Sequence, residues 1–317
     1  MSEGPEVKRT ADKISETILG KTIIDIHCKT LKDNIIKSKI IGSKVKSVDT
    51  YGKNIVISFT SGVYLRNHMM MWGKWRIYDK KEFDRGEAKP PPRIIISWSR
   101  QNSTRNNNNN TTNKNKIDKN NTTSSIQKTV KDVRNDSRVR LILITPAQVA
   151  VQFNGPILHF TMSDPSKHKS IAQLGPDALK STFDIESVRK RLHRRGKMKL
   201  ADLLLDQTFV AGIGNKYKSE ILFLRKLWPF KIANNLSQSE EQQLLEEIPR
   251  VLKIGYVSAG RTRPRQQEEE ASNKWEFRHW VFRRGGHPCW ICGTKIVIDR
   301  QSSSRVTFWC PKCQPGK

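Results

Sequence analysis

The sequence lacks long apolar runs and is poor in acidic residues. No apolar stretch reaches the roughly 18 residues that a membrane-spanning helix needs. The first twenty residues are polar and charged, so we expect no secretory signal. Asp and Glu number 30 against 58 Lys and Arg, a formal net charge of +28. This excess of positive charge favours nucleic acid as the partner, with an anionic membrane surface as the second possibility. Charge alone is also compatible with a basic protein that binds neither.

Cysteine is also scarce, with five in the chain. Cys28 stands alone, whereas Cys289, Cys292, Cys310 and Cys313 form two C-x-x-C pairs separated by 17 residues. This usage fits an intracellular, reducing compartment better than a disulfide framework. Each pair can bind one side of a tetrahedral zinc ion, with a hairpin between the pairs. Four sulfur ligands leave no open coordination position, so the predicted Zn²⁺ is structural.

The first half of the chain reads as one helix followed by strands. Val7, Ala11, Ile14 and Ile18 recur at helical spacing, and Gly20 lies where a helix stop belongs. Runs of β-type composition follow at residues 22–28, 44–48, 54–59, 63–67, 74–78, 93–99, 138–145, 149–153 and 157–161. Closely spaced strands of this kind indicate a sandwich or a barrel. An Asn-rich insertion, residues 100–137, has too few apolar side chains to order itself and is predicted to be a disordered loop.

The second half changes to helical periodicity from Ile185 onward. A leucine-rich helix around Leu203 is followed by a GIGN turn and a second helix over residues 216–227. Ser237 and Glu240 have the spacing of a capping box, which predicts the start of a third helix.

The chain start carries candidate chemistry. Ser2 is small, so we expect removal of Met1, which would expose an α-amine with an unperturbed pKa near ~7.7. A partly neutral amine can attack an electrophilic carbon and form a Schiff base, and Glu3 or Glu6 could handle the protons. Taken alone, the two carboxylates are explained equally well as complements of a helix dipole.

Five ordered segments together resemble the formamidopyrimidine-DNA glycosylase / endonuclease VIII family. They are SEGPEVKRTAD, YGKNI, HMMMWGKWRIY, LADLLLDQTFVAGIGNKYKSEILF, and HPCWICG through RVTFWCPKCQ. The resemblance covers nearly the whole chain apart from the Asn-rich insertion, and it is nearer the endonuclease VIII branch. It implies an α+β multidomain fold. A two-sheet β-sandwich with a leading helix would occupy residues 1–165, a helix–two-turn–helix domain 166–283, and a zinc-finger β-hairpin 284–317.

The resemblance also implies a mechanism. Family members act on damaged DNA in the cleft between the domains and turn the damaged nucleotide out of the duplex. The Ser2 amine would attack C1′ of that nucleotide, and Glu3 would protonate the opening ring oxygen. Glu6 would order the site, and Lys53 would contact the phosphate near the lesion or assist proton transfer. The resemblance places Arg305 with Ser2, Glu3, Glu6 and Lys53 among the catalytic residues, where it would bind the DNA backbone.

Further residues are implied to contact DNA. Met70, Met71 and Trp72 would lie on a strand and fill the hole left by the displaced nucleotide. Asn215 and Lys216 would contact phosphate together with backbone amides of the helix-pair turn. The basic run 189–199 would add non-specific affinity.

The implied enzyme is a glycosylase and AP lyase of base excision repair. Oxidised pyrimidines are the expected lesions, and we expect a monomer that acts at cellular DNA without a membrane partner. One departure is Ser2, where the family usually has proline: a primary amine gives an imine that must be protonated, which predicts a slower lyase step. Two alternatives stay open, a non-catalytic damaged-DNA binder and an RNA-binding protein.

Overall fold

The computed structural model describes residues 2–92, 132–264, 275–299 and 305–316. The predicted strand at 93–99 and nearly all of the Asn-rich insertion lie outside these residues. The described helices are α1 (Gly4–Ile18), α2 (Asn34–Ile40), α3 (Lys80–Asp84), α4 (Lys169–Ala172), α5 (Ile185–Arg194), α6 (Leu200–Leu203), α7 (Asn215–Leu224) and α8 (Gln238–Val257). The described strands are β1 (Asp25–Cys28), β2 (Val45–Tyr51), β3 (Asn54–Phe59), β4 (Tyr64–His68), β5 (Lys74–Asp79), β6 (Val139–Ile144), β7 (Gln148–Phe153), β8 (Ile157–Thr161), β9 (Val297–Asp299) and β10 (Thr307–Trp309).

The first eight strands form two antiparallel sheets, in the orders β1-β6-β7-β5 and β2-β3-β4-β8 within the described chain. Ile57 and Leu65 of one sheet share a buried core with Leu143 of the other. Helix α1 contributes Val7 and Ile14 to the same core, which explains its helical spacing of apolar residues. The two-sheet sandwich with a leading helix is therefore confirmed, and the barrel alternative is wrong.

The second half has its own helical core. Leu203 of α6, Ile221 of α7 and Leu245 of α8 are all fully buried in one cluster. The predicted capping box at the start of α8 is confirmed, because Ser237 Oγ accepts from Glu240 N and Glu240 Oε2 accepts from Ser237 N. The predicted helix 216–227 is α7, which begins one residue earlier and ends three residues earlier.

The C-terminal residues form a small module. Strands β9 and β10 pair antiparallel, and a cluster of Val281, Ile296 and the two-pair cysteines packs against Phe223 of α7. This is the predicted β-hairpin held between the C-x-x-C pairs.

Candidate active site

The start of α1 lies against the start of α7. Glu3 precedes α1, is 2% exposed, and points its carboxylate into the backbone of the helix-pair turn. Glu3 Oε1 accepts from Lys216 N at 3.0 Å, and Glu3 Oε2 accepts from Gly214 N at 3.1 Å and from Tyr217 N at 3.3 Å. Because a helix N-terminus favours a negative charge, Glu3 joins the sandwich to the helical domain at this point.

Glycines allow this close approach. Gly4 N donates to Gly212 O at 2.8 Å, and a Cβ on Gly4 would lie 3.0 Å from the Cα of Gly212. A Cβ on Gly214 would lie 2.4 Å from Cδ of Glu3. Gly212 also has φ +95°, which only glycine adopts readily. The GIGN turn is therefore shaped to receive the Glu3 carboxylate.

This arrangement corrects one expectation. The turn amides of Gly214, Lys216 and Tyr217 were expected to bind phosphate, but they donate to Glu3 instead. A carboxylate from the same chain occupies the anion site that the helix start presents.

Glu6 lies one turn along α1 and binds the same helix. Its Oε1 accepts from the Lys216 ammonium and from the Tyr217 hydroxyl, the latter at 2.9 Å, while Oε2 accepts from Glu3 N at 3.3 Å. Burial, with the nearby carboxylates of Glu6 and Glu3, raises the pKa of the Tyr217 hydroxyl. Glu6 thus ties the backbone beside Ser2, which is half-buried, to α7.

Lys216 lies inside the molecule rather than on its surface. Its side chain is 7% exposed, and its ammonium contacts Glu6, Gly260 O at 3.3 Å and the Tyr217 ring at 4.1 Å. This buried position disagrees with the expectation that Lys216 contacts DNA directly. It makes Lys216 a partner of Glu6.

Lys53 approaches from the turn between β2 and β3. Gly52, at φ +56°, donates its N–H to Asp177 Oδ2 at 3.3 Å, and Lys53 Nζ donates to Ile213 O at 2.6 Å. Since Ile213 O and the Gly214 N–H belong to one peptide group, Lys53 and Glu3 bind opposite ends of it. Burial lowers the pKa of Lys53; Glu3 opposes this shift, and Arg305 adds to it.

Arg305 reaches the same region from the hairpin. It is exposed, and its charge lowers the pKa values of Lys53 and Lys218 alongside the larger effect of burial. The structure therefore brings Ser2, Glu3, Glu6 and Lys53 together at the GIGN turn, with Arg305 near enough for its charge to act on Lys53.

Met70, Met71 and Trp72 lie in a turn between β4 and β5, so their expected position on a strand is wrong. They are 48%, 51% and 42% exposed. Met70 has φ 53°, and its N–H donates to His68 Nδ1 at 3.1 Å. All three large apolar side chains are thus presented to solvent at one loop tip, which a strand could not do because its neighbouring side chains alternate.

Asn215 begins α7, and its Oδ1 is buried without a hydrogen-bond partner in the described chain.

The basic run 189–199 is only partly exposed to solvent. Arg189 binds Glu241, and Arg195 binds Asp206, while Lys190 and other members are exposed.

The four cysteines of the two pairs form a compact ligand set. The Sγ atoms of Cys289, Cys292, Cys310 and Cys313 all lie within 4.8 Å of one another. Cys289 Sγ is 3.9 Å from Cys313 Sγ, and Cys292 Sγ is 3.4 Å from Cys310 Sγ. Tetrahedral zinc with Zn–S bonds of about 2.3 Å needs sulfur separations of about 3.8 Å. The predicted four-sulfur cluster is confirmed, and its spacing fits a tetrahedral ion.

Sequence reasoning did not single out three residues that build this site. The sequence pattern assigns Tyr217 and Lys218 only to a helix, and no motif marks Asp177. The signal available was local: both α7 residues lie within three positions of the end of the GIGN turn, in the first turn of the helix. None of the described helices has the length and apolar character to cross a membrane.

Comparisons with known proteins agree with these features. Residues 1–114 match the family model of the formamidopyrimidine-DNA glycosylase N-terminal domain, and residues 174–265 match that of its H2TH domain. The chain is 28% identical to "Endonuclease 8" of Escherichia coli O17:K52:H18 over 99% of this chain and 100% of that protein. The Salmonella arizonae "Endonuclease 8" matches with the same identity and coverage.

Solved structures share the fold. The Lactococcus lactis Fpg in complex with DNA containing an abasic site aligns with a TM-score of 0.70 at 21% identity, covering 99% of this chain and 100% of that one. The same protein bound to DNA containing FAPY-dG aligns with a TM-score of 0.69 at 21% identity, covering 98% and 99% of the two chains.

Proposed function

The chain belongs to the formamidopyrimidine-DNA glycosylase / endonuclease VIII family, whose members are DNA glycosylases and AP lyases of base excision repair. On that premise we propose that it removes oxidised pyrimidines from damaged DNA through a Schiff base on the α-amine of Ser2, and then cleaves the strand by elimination. One observation carries the proposal: Glu3, directly beside Ser2, is held at the junction of the two domains by three backbone amides.

The covalent sequence uses residues that this junction assembles. With Met1 removed, the Ser2 nitrogen attacks C1′ of the displaced nucleotide, and the bond from C1′ to the base breaks as the base leaves with its electron pair. The Glu3 carboxylate takes a proton that the attacking amine releases and delivers it to the ring oxygen when the C1′–O4′ bond opens, which leaves an imine between Ser2 and C1′. Loss of a C2′ proton then expels the 3′ phosphate, and hydrolysis of the imine frees the amine.

The remaining residues position these groups and the DNA. Glu6 fixes the backbone of Glu3 through its bonds to Lys216 and Tyr217. Lys53 and Arg305 supply positive charge for phosphates on either side of the lesion. Asn215, at the start of α7, carries an amide NH₂ group that can donate to a phosphate.

The exposed turn fits the hole-filling role. Met70, Met71 and Trp72 project from one loop tip with roughly half of each side chain exposed. Inserting such side chains would offset the few kcal/mol of stacking lost when a nucleotide leaves the duplex. Exposure of three large apolar residues at one tip is otherwise unfavourable for a free protein.

We assign a structural Zn²⁺ to the four-cysteine cluster. Cys289, Cys292, Cys310 and Cys313 would hold it, and a bound ion would stabilise the hairpin that carries Arg305. The proposed domains remain 1–165, 166–283 and 284–317, and the proposed working form is a monomer bound to cellular DNA.

Reductive trapping tests the proposal. Protein with a free Ser2 amine is incubated with borohydride and a duplex carrying 5-hydroxyuracil, with an 8-oxoguanine duplex and an undamaged duplex for comparison. We expect a covalent adduct that forms fastest on the pyrimidine lesion and disappears when Ser2 is acetylated. A Ser2→Pro variant should speed strand cleavage, because a secondary amine gives a permanently charged iminium.

Three outcomes would contradict parts of the proposal. Cleavage by acetylated protein would exclude Ser2 as the nucleophile. Faster trapping on 8-oxoguanine would exclude the pyrimidine preference. Tight binding of lesion DNA with neither adduct nor cleavage would instead indicate a non-catalytic binder.

A further inference from the structure

Lys218 is a buried lysine that the proposed mechanism does not use. It lies in the first turn of α7 and is fully buried. Its ammonium donates to Thr307 Oγ1 at 2.8 Å and to Val306 O at 3.4 Å. Both acceptors are uncharged groups of the C-terminal hairpin. An ammonium is therefore held in the interior at the contact between the helical domain and the hairpin.

Attachment of the hairpin does not explain a charge at this position. Burial lowers the pKa of Lys218 to about 8; the charges of Asp202 and Glu3 oppose this shift, and that of Arg305 adds to it. Apolar packing of Phe223 against the hairpin core already joins α7 to this module. A methionine at position 218 would attach the hairpin to α7 equally well, because apolar replacements of buried ionic groups are often neutral or stabilising.

The hydrogen bonds of Lys218 end on the backbone segment that carries Arg305. Val306 directly follows Arg305, and Thr307 is the first residue of β10 and is fully buried. Holding the carbonyl of one residue and the hydroxyl of the next restricts how this segment can rotate. Arg305 is exposed, and it lies close enough to Lys53 for its charge to lower the pKa of that lysine.

We propose that Lys218 is a positioning residue: by binding Thr307 and Val306 it fixes Arg305 where it can contact a DNA phosphate beside the Ser2–Glu3 site. This inference rests on the proposed function. It predicts that the contribution of Lys218 to DNA binding passes through Arg305, so that Lys218 contributes little once the Arg305 guanidinium is gone.

A double-mutant cycle tests this coupling. The full chain is prepared as wild type, Lys218→Met, Arg305→Ala, and the double variant. Thr307→Val removes the acceptor hydroxyl and leaves Lys218 in place, Lys218→Arg keeps the donor, and Lys39→Met makes the same chemical change on an exposed residue of α2. Dissociation constants are measured against salt on a duplex with a tetrahydrofuran abasic analogue, which needs no chemistry.

We expect Lys218→Met and Arg305→Ala each to weaken binding by about tenfold and to lower the salt slope by about one. The double variant should bind no more weakly than Arg305→Ala alone. Thr307→Val should lose part of the affinity, and Lys218→Arg should keep most of it. Lys39→Met should bind like wild type.

If the loss of affinity in the double variant equals the product of the two single losses, the inference is overturned, because Lys218 would then act independently of Arg305. An unchanged affinity of Lys218→Met would overturn it as well. Amide hydrogen exchange of residues 305–309 adds a readout without DNA: it should speed up in Lys218→Met and in Thr307→Val, with zinc content unchanged. Unaltered exchange in both variants would also overturn it.

The outcomes separate the two proposals. If wild type binds and traps lesion DNA but the cycle is multiplicative, only the role of Lys218 fails. If wild type neither binds nor traps DNA, the proposed function fails, and hydrogen exchange still decides whether Lys218 orders the segment.

Discussion

Replacing Glu3 by alanine removes the acceptor of three backbone amides where the sandwich meets the helical domain. The three N···O distances are 3.0, 3.1 and 3.3 Å, and Glu3 is 2% exposed. A hydrogen bond to a charged group contributes about 1.5–3 kcal/mol. Since water can enter the space that alanine leaves, we expect the free energy of unfolding to fall by about 4 kcal/mol rather than by the full sum.

Glu3→Gln sharpens this prediction. The amide oxygen can still accept from Lys216 N, but its NH₂ group would face the N–H groups of Gly214 and Tyr217, which are also donors. We expect a loss of about 2 kcal/mol. Glu16→Ala, an exposed carboxylate on the same helix, is the matched control and should change stability by about 0.5 kcal/mol or less.

Urea unfolding followed by tryptophan fluorescence and circular dichroism gives the comparison. Activity cannot decide the point, because both Glu3 variants should also lose base excision if Glu3 supplies the proton. Equal unfolding free energies for Glu3→Ala and Glu16→Ala would refute the reasoning, since Glu3 would then not hold the two domains together.

Three other outcomes are expected. Because the pKa of Lys218 falls from 10.5 to about 8 in the fold, the unfolded chain binds the extra proton between these values. The free energy of unfolding of the wild type should therefore rise with pH across this window by about 3 kcal/mol relative to that of Lys218→Met. Urea titrations at each pH measure this, and a difference between the two proteins that does not change with pH would contradict it. Chelation, or Cys292→Ser with Cys313→Ser, should release one zinc per chain and abolish DNA binding, with helical circular dichroism largely retained; full affinity without metal would contradict the assignment. Met71→Ala with Trp72→Ala should leave stability within about 0.5 kcal/mol but reduce lesion excision at least tenfold, because the side chains are exposed; a large fall in melting temperature would contradict this.

Local patterns predicted the elements that carry strong periodicity. The strands at 54–59 and 157–161 coincide with β3 and β8, and the leading helix ends within two residues of its predicted stop. The capping pair of Ser237 and Glu240 predicted the start of α8 correctly. These elements could be predicted because each depends on residues that are close together in the sequence. Helices α2 and α3 were missed, since they are short and bury few side chains.

The site was predictable as a list of residues but not as a set of contacts. The motifs identified Ser2, Glu3 and Glu6 through family resemblance, whereas nothing local indicated that Glu3 would occupy the amides of α7. Lys216 was expected to contact DNA, but its side chain is buried against Glu6. Met70–Trp72 were expected on a strand and lie in a turn.

By itself the sequence determined the chemistry that is available: Ser2 beside the carboxylates of Glu3 and Glu6, four cysteine sulfurs at the spacing of a zinc site, and apolar periods that define strands and helices. Only the tertiary structure decided which charges meet. Glu3 and the start of α7 are separated by more than 200 residues, and their contact exists because two cores, the GIGN turn and the close approach of Gly4 to Gly212 bring them within hydrogen-bond range. Side-chain partners at such separation depend on how whole domains pack, which no local pattern encodes.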